Sequence, residues 1–257
     1  MGTTGTATQG IAQAPVNQTP QGLADDADQA TVQAYYKNKL GMDVGGSYYR
    51  DNLDPKILAR SAEPLEKLVN ELGKDVFDEM GIRIVSSQSQ FMGQKATRAY
   101  AQTSLQSHTI AVNPNKFNDY NTIKASMHTD VHAGYHPTGC KAGDVIVHEV
   151  GHNLEFLINR RINANNRLNL VLADYNQTYS KAIVQQAYSE LKKEQPSLYS
   201  TEKQARKSIS GYADSLWNGT VAYTECLAEA VADYARNGQN AKPMSLKIWQ
   251  GIKSMLK

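Results

Sequence analysis

The chain has 257 residues, enough for one sizeable catalytic domain with a flexible segment, or for two small domains. Hydrophobic residues make up 40% and charged residues 20%, an ordinary globular balance that excludes a wholly disordered or fibrous chain. The net charge of +2 argues for no particular partner, and the basic residues of the C-terminal third are scattered among acids, so no nucleic-acid partner is expected. Two cysteines do not make a disulfide framework, and no apolar run reaches membrane-spanning length.

Residues 1 to 30 are rich in Gly, Thr, Gln, Ala and Pro, and residues 1 to 36 contain no Lys or Arg. A segment so poor in large apolar groups cannot offset its ordering entropy and is expected to be a flexible arm. Such an arm can drape over a neighbour in an assembly, so a protein partner is kept in view. It lacks the basic start and apolar stretch of a signal peptide, and the expected location is a cytoplasm.

A short helix and a Gly-rich turn are predicted over 31 to 52. Asp54-Pro55 then opens a helix, because Asp caps free N–H groups and Pro suits the first turn. Ile57, Leu58, Leu65, Leu68, Val69 and Leu72 recur at helical spacing, Gly73 ends the run, and Pro64 is expected to kink it. Strands are predicted over 82–86, 97–102 and 108–112, the last as the edge that aligns an extended peptide. Residues 118 to 139 read as a loop holding His128, His132 and His136, because Gly134 and Pro137 argue against a helix through all three. Helices follow over 142–160, 165–192, 200–210, 222–236 and 244–255. Strands first and helices after predict an α+β fold. The expected organisation is an arm over 1–30, a helical lead-in over 31–79 and a catalytic domain over 80–257.

The decisive stretch is Asp144-Val-Ile-Val-His148-Glu149-Val-Gly151-His152. Residues four apart on a helix share a face, so His148 and His152 can present imidazoles to one ion. Zn2+ accepts neutral imidazole nitrogen readily. Glu149 lies about 100° round the helix from His148, the place for a general base rather than a ligand. Zinc in a catalytic site needs a third protein ligand. Downstream, Glu225, Glu229 and Asp233 are four apart and form an acidic stripe, which is destabilising as a plain solvated face. The economical assignment makes Glu225 the ligand and Glu229 the acceptor behind a ligand histidine. Cys140 and Cys226 read as small core residues, and Trp217 and Trp249 as packing residues.

His-Glu-Val-Gly-His followed by Glu-Cys-Leu-Ala-Glu-Ala-Val-Ala-Asp-Tyr resembles the gluzincin metallopeptidases. The similarity is greatest to anthrax lethal factor-type catalytic domains and to metallopeptidase-like domains of phage minor head proteins. His136-Pro137-Thr138-Gly139 and Asn237-Gly238 followed by Ser245 also look phage-like. The resemblance covers roughly residues 80 to 256. It implies a zincin-like fold, with a small mixed sheet before a mostly helical part. It also implies one zinc on His148, His152 and Glu225, Glu149 as base, and a peptide or protein substrate. A tyrosine upstream of the glutamate helix is implied to stabilise the transition state. Tyr212 is the match, with Tyr223 as rival, because the gap to Glu225 is longer than in the lethal factor pattern. An alternative of another class is a virion structural protein bound to capsid neighbours through residues 1–30, with the zincin-like domain as scaffold.

Overall fold

The computed structural model describes residues 22–51, 53–93, 98–104 and 107–257, apart from the side chain of Tyr49. The expected arm therefore lies largely outside the described residues. Its last part does not. Asp25 pairs with Lys56 and Arg60, and the Gly22 amide donates to Glu66, so residues 22–28 lie against the third helix.

The architecture is α+β: a small mixed sheet and a mostly helical remainder. Helices α1 (Gln29–Leu40), α2 (Gly46–Arg50), α3 (Pro55–Leu72) and α4 (Lys74–Met80) come first, with strand β1 (Asp43–Val44) between α1 and α2. Strands β2 (Arg83–Ser86), β3 (Ala101–Ser104) and β4 (Thr109–Val112) complete a sheet of order β1-β2-β4-β3. β1, β2 and β4 run parallel, and β3 is antiparallel to β4. The edge beside the site is therefore β3. The strand 108–112 expected to form that edge is interior, bonded on both sides. Strand order is a long-range property, set by which distant strands pair.

The cap expected at Asp54 forms, its side chain accepting from the Lys56 amide, and α3 continues through Pro64. Pro64 cannot donate to the Arg60 carbonyl. Arg236 reaches that carbonyl instead, at 3.5 Å. The start of the next long helix presses there too: a Cβ on Gly143 would stand 2.6 Å from the Ser61 nitrogen.

After α5 (Pro114–Phe117), α6 runs from Tyr120 to His132. The loop expected over 118–139 is thus corrected. Gly134 and Pro137 lie beyond the helix end and terminate it rather than interrupt it. Asp119 caps α6 by accepting from the Asn121 and Thr122 amides. The histidine helix α7 (Asp144–Ile162) follows, then α8 (Arg167–Tyr175), α9 (Thr178–Glu194) and α10 (Glu202–Ile209). The single helix expected over 165–192 is two. They break at Gln177, whose φ of 52° is left-handed and incompatible with a continuous helix. α8 buries none of its residues and leaves Leu168, Val171, Leu172 and Tyr175 exposed. A hairpin, β5 (Leu216–Trp217) and β6 (Thr220–Val221), turns on Asn218-Gly219, both at positive φ. Trp217 is exposed on it, which corrects its expected packing role, whereas Trp249 is buried. The glutamate helix α11 (Tyr223–Asn237) and α12 (Pro243–Leu256) close the chain.

One core runs from Val32 to Leu256 and takes in the sheet, α3, α7, α11 and α12. Among the described residues no helix is long and apolar enough to cross a membrane.

The histidine and glutamate helices meet at Gly151. A Cβ there would lie 2.7 Å from the Ala228 Cα, a backbone atom that cannot turn aside. Alanine would gain about 1 kcal/mol of helix propensity, but overpacking costs about 1–3 kcal/mol and forces the backbones apart. Gly151→Ala is therefore expected to lower Tm, by roughly 2–4 °C per kcal/mol of net loss. Thermal unfolding checks this, and a Tm at or above wild type would refute the close-contact argument.

Candidate metal centre

Two helices and one strand build the site. From α7 come His148, Glu149 and His152. From α11 comes Glu225, at the turn that the Gly151 contact brings nearest. Oε2 of Glu225 lies 3.2 Å from Nε2 of His148 and 3.4 Å from Nε2 of His152. Donor atoms round a tetrahedral zinc ion, at bonds of about 2.0–2.1 Å, are roughly 3.3 Å apart. The three donor atoms all lie within 4.8 Å of one another. Among the described residues this is the one group of three or more His, Cys, Asp or Glu side chains close enough to hold a metal.

The donor chemistry tests the fit. Nε2 of His148 faces Glu225, and its Nδ1 lies 2.9 Å from Oε1 of Glu229. The Glu229 contact is short but off the N–H axis, so it is a close charge contact rather than a linear hydrogen bond. Both neighbours are carboxylates, and carboxylates only accept. His148 can suit both only if Nε2 carries a proton or a metal ion. Burial alone would lower the His148 and His152 pKa values, yet Glu225 and, for His148, Glu229 outweigh it and raise both. The site is built for added positive charge, and the residues present fit a divalent transition metal.

Glu229 is 1% exposed. It accepts from the Ser210 hydroxyl at 2.8 Å and stands 3.0 Å from Nδ1 of His136. Burial pushes its carboxyl up, but His136 and His148 outweigh burial and hold it down to about 2. It lies behind His148, 2.9 Å from Nδ1, on the side away from Glu225. Asp233, the third acid of the stripe, accepts from Asn237 and from the Lys242 amide and takes no part in the site.

Glu149 is buried beside the donors. Its Oε2 accepts from the Thr103 hydroxyl at 2.5 Å, and the same hydroxyl reaches its backbone carbonyl at 3.2 Å. Thr103 lies on edge strand β3, so the edge is pinned to Glu149. Tyr212 sits in a turn held by the Gly211 and Tyr212 amides donating to the carbonyls of Gly134 and Tyr135. Its ring stacks on His148 with centroids 5.7 Å apart. Burial, then Glu225, raises its pKa, so the phenol keeps its proton. Tyr223, the rival, is engaged elsewhere: its hydroxyl donates to Glu202 and accepts from Gln185.

His136 joins the site through Glu229 and Tyr212, whereas His128 and His132 remain on exposed α6 with parallel rings. Sequence reasoning did not find Thr103 or Ser210. Neither has a local signal, because each acts across a large sequence separation. Cys226 is buried, as expected, and Cys140 is partly buried in the wall of the cleft. No family model, curated protein sequence or solved structure matches the chain.

Two measurements follow from this geometry. The purified chain is expected to bind about one transition-metal ion. Glu225→Ala should abolish tight binding, and Glu229→Ala should weaken it roughly 10- to 100-fold. Mass spectrometry and competition with a chromogenic chelator check both. Undiminished affinity in Glu225→Ala would remove it from the ligand set.

Glu155, one turn beyond His152, is buried and accepts from the Ser180 amide. Burial raises its pKa from 4.5 to about 7. The folded chain therefore holds this proton more tightly than the unfolded one, and stability falls as pH rises from about 4.5 to about 7. Glu155→Gln keeps the amide contact without the charge. In the metal-free protein it should raise Tm at pH 8 and leave it nearly unchanged at pH 4. An equal shift at both pH values would contradict the assignment.

Proposed function

We propose that the chain is a zinc-dependent endopeptidase, with His148, His152 and Glu225 as ligands and Glu149 as general base. The single observation that carries the reading is the conjunction at one spot. Three donor atoms lie within 4.8 Å of one another, the buried carboxylate of Glu149 is next to them in the same helix, and β3, which bonds that carboxylate, is an edge strand among the described residues.

Zinc, when bound, supplies a Lewis acid that polarises the scissile carbonyl and makes water acidic enough to ionise near neutral pH. The protein's own groups do the rest. Glu149 takes a proton from the attacking water and passes it to the departing amine. Thr103 holds Oε2 of that carboxylate, which leaves Oε1 as the oxygen free to carry the proton. The outer side of β3 offers backbone groups with which an extended peptide pairs, and Thr103 ties that pairing to the base. Tyr212 retains its proton and donates to the developing oxyanion. Glu229, held by Ser210, fixes the ring of His148.

The test is hydrolysis of a quenched fluorescent peptide library by the zinc-loaded chain. Glu149→Gln should bind zinc as tightly as wild type and lose about 10²–10⁴-fold in kcat. Tyr212→Phe should lose about 10²-fold in kcat with little change in KM. Zinc bound without any cleavage, or full activity in Glu149→Gln, would overturn the proposal.

A further inference from the structure

Beside the metal centre lies a cavity of about 590 Å³, with His148, Glu149 and Tyr212 in its wall. Four acids line it, and each has a donor of its own. Thr103 donates to Glu149, Ser210 to Glu229 and the Tyr100 phenol to Asp130, while Arg236 pairs with Asp144. Arg98 and Lys116 line the same cavity and are used by none of them. Arg98 is exposed and Lys116 half-buried, so a solute can reach both. Neither has a carboxylate partner among the described residues, and every Asp and Glu of the chain is among those residues. The acids are supplied with donors, and the two cations are left without an anion.

The backbone places these two charges together. The Asn113 amide donates to the Tyr100 carbonyl at 2.9 Å, and the Asn113 side chain donates to the Ala99 carbonyl at 2.7 Å. Asn113 also caps α5, the helix that carries Lys116, by accepting from the Asn115 amide. Ala99 and Tyr100 connect Arg98 to β3. The segment bearing Arg98 and the helix bearing Lys116 are therefore bonded to one residue, at the start of the edge strand. Tyr100 keeps opposite charges apart: the Lys116 ammonium stands over its ring, 5.4 Å from the centroid, and Asp130 accepts from its hydroxyl. Met127, Ala101 and Val145 supply apolar wall for an aliphatic stem.

We propose that Arg98 and Lys116 form an anion subsite of the cleft that takes a carboxylate of the substrate, borne by an acidic side chain or by a C-terminal residue. The inference rests on reading the cleft as a peptide site. Ion pairs at partly exposed positions are modest and are screened by salt. Together the two cations favour a carboxylate over an amide of the same shape by roughly 3- to 10-fold at low salt.

The test does not depend on turnover. N-acetyl-glutamate amide carries only the side-chain carboxylate, N-acetyl-glutamine only the terminal one, and N-acetyl-glutamine amide neither. Each is titrated into the full zinc-loaded chain at low and at high salt, and binding is followed by NMR shifts. At least one acid should bind roughly 3- to 10-fold tighter than the amide at low salt, and the advantage should shrink at high salt. The compound that gains identifies the source of the carboxylate. The double substitution Arg98→Gln, Lys116→Gln should erase the advantage, with zinc content as the check on folding. Should that variant lose its zinc, Arg98→Gln alone, at the exposed position, should reduce the advantage. Equal affinities for the three compounds would overturn the subsite. So would an advantage that survives the substitutions, which would place the carboxylate on the metal instead. Failure here is distinct from that of the peptidase reading. Carboxylate selectivity without peptide cleavage keeps the subsite and removes the hydrolase, and cleavage without that selectivity does the reverse.

Discussion

At Gly151 the histidine helix lies against the backbone of Ala228 with no side chain between them. This contact sets the distance between α7 and α11, and the distance sets the site. Glutamate has a short reach, and Glu225 meets both imidazole nitrogens at 3.2 and 3.4 Å only because the two helix axes are this close. A methyl group at residue 151 would act on the ligand cluster without touching a ligand. Small residues line the glutamate helix on the same side, with Ala228 and Ala232 next to Glu225 and Glu229 in the sequence pattern. Close approach of the helices and convergence of the three donor atoms are thus two results of one packing arrangement.

The second constraint is charge. Glu149, Glu225 and Glu229 are all buried, and with neutral imidazoles they would leave three negative charges in a poorly hydrated space. Burying unpaired charge is costly, whereas hydrogen bonds and cations nearby offset that cost. Each carboxylate has its own remedy. Thr103 serves Glu149, Ser210 and His136 serve Glu229, and His148 and His152 face Glu225. His148 stands between two of these acids, with Glu225 at Nε2 and Glu229 at Nδ1, so added positive charge on this one ring relieves both.

Much of this was legible in the sequence. His148 and His152 share a face because helical periodicity places them there. Glu225 and Glu229 share another for the same reason, and apolar spacing marks both helices as core elements. What the sequence did not show is non-local. Thr103 reaches Glu149 across 46 positions, and His136 reaches Glu229 across 93. Neither separation leaves a periodic trace. The errors in the helices had local causes. Gly134 and Pro137 lie just beyond a helix that ends before them, and the break at Gln177 has neither Gly nor Pro to announce it. Strand order failed for a different reason. β3 and β4 are both four residues long, and which of them is the edge is decided by pairing with distant strands.

The core and the site stand in a definite order of dependence. The core is apolar and continuous from α1 to α12, and the Gly151 contact belongs to it. The donor atoms of His148, His152 and Glu225 are carried by the two helices that this packing fixes, and carboxylates face both histidine rings. A proton and a metal ion would compete for the same ring nitrogens, and the acids facing them, Glu225 and Glu229, would set the outcome of that competition.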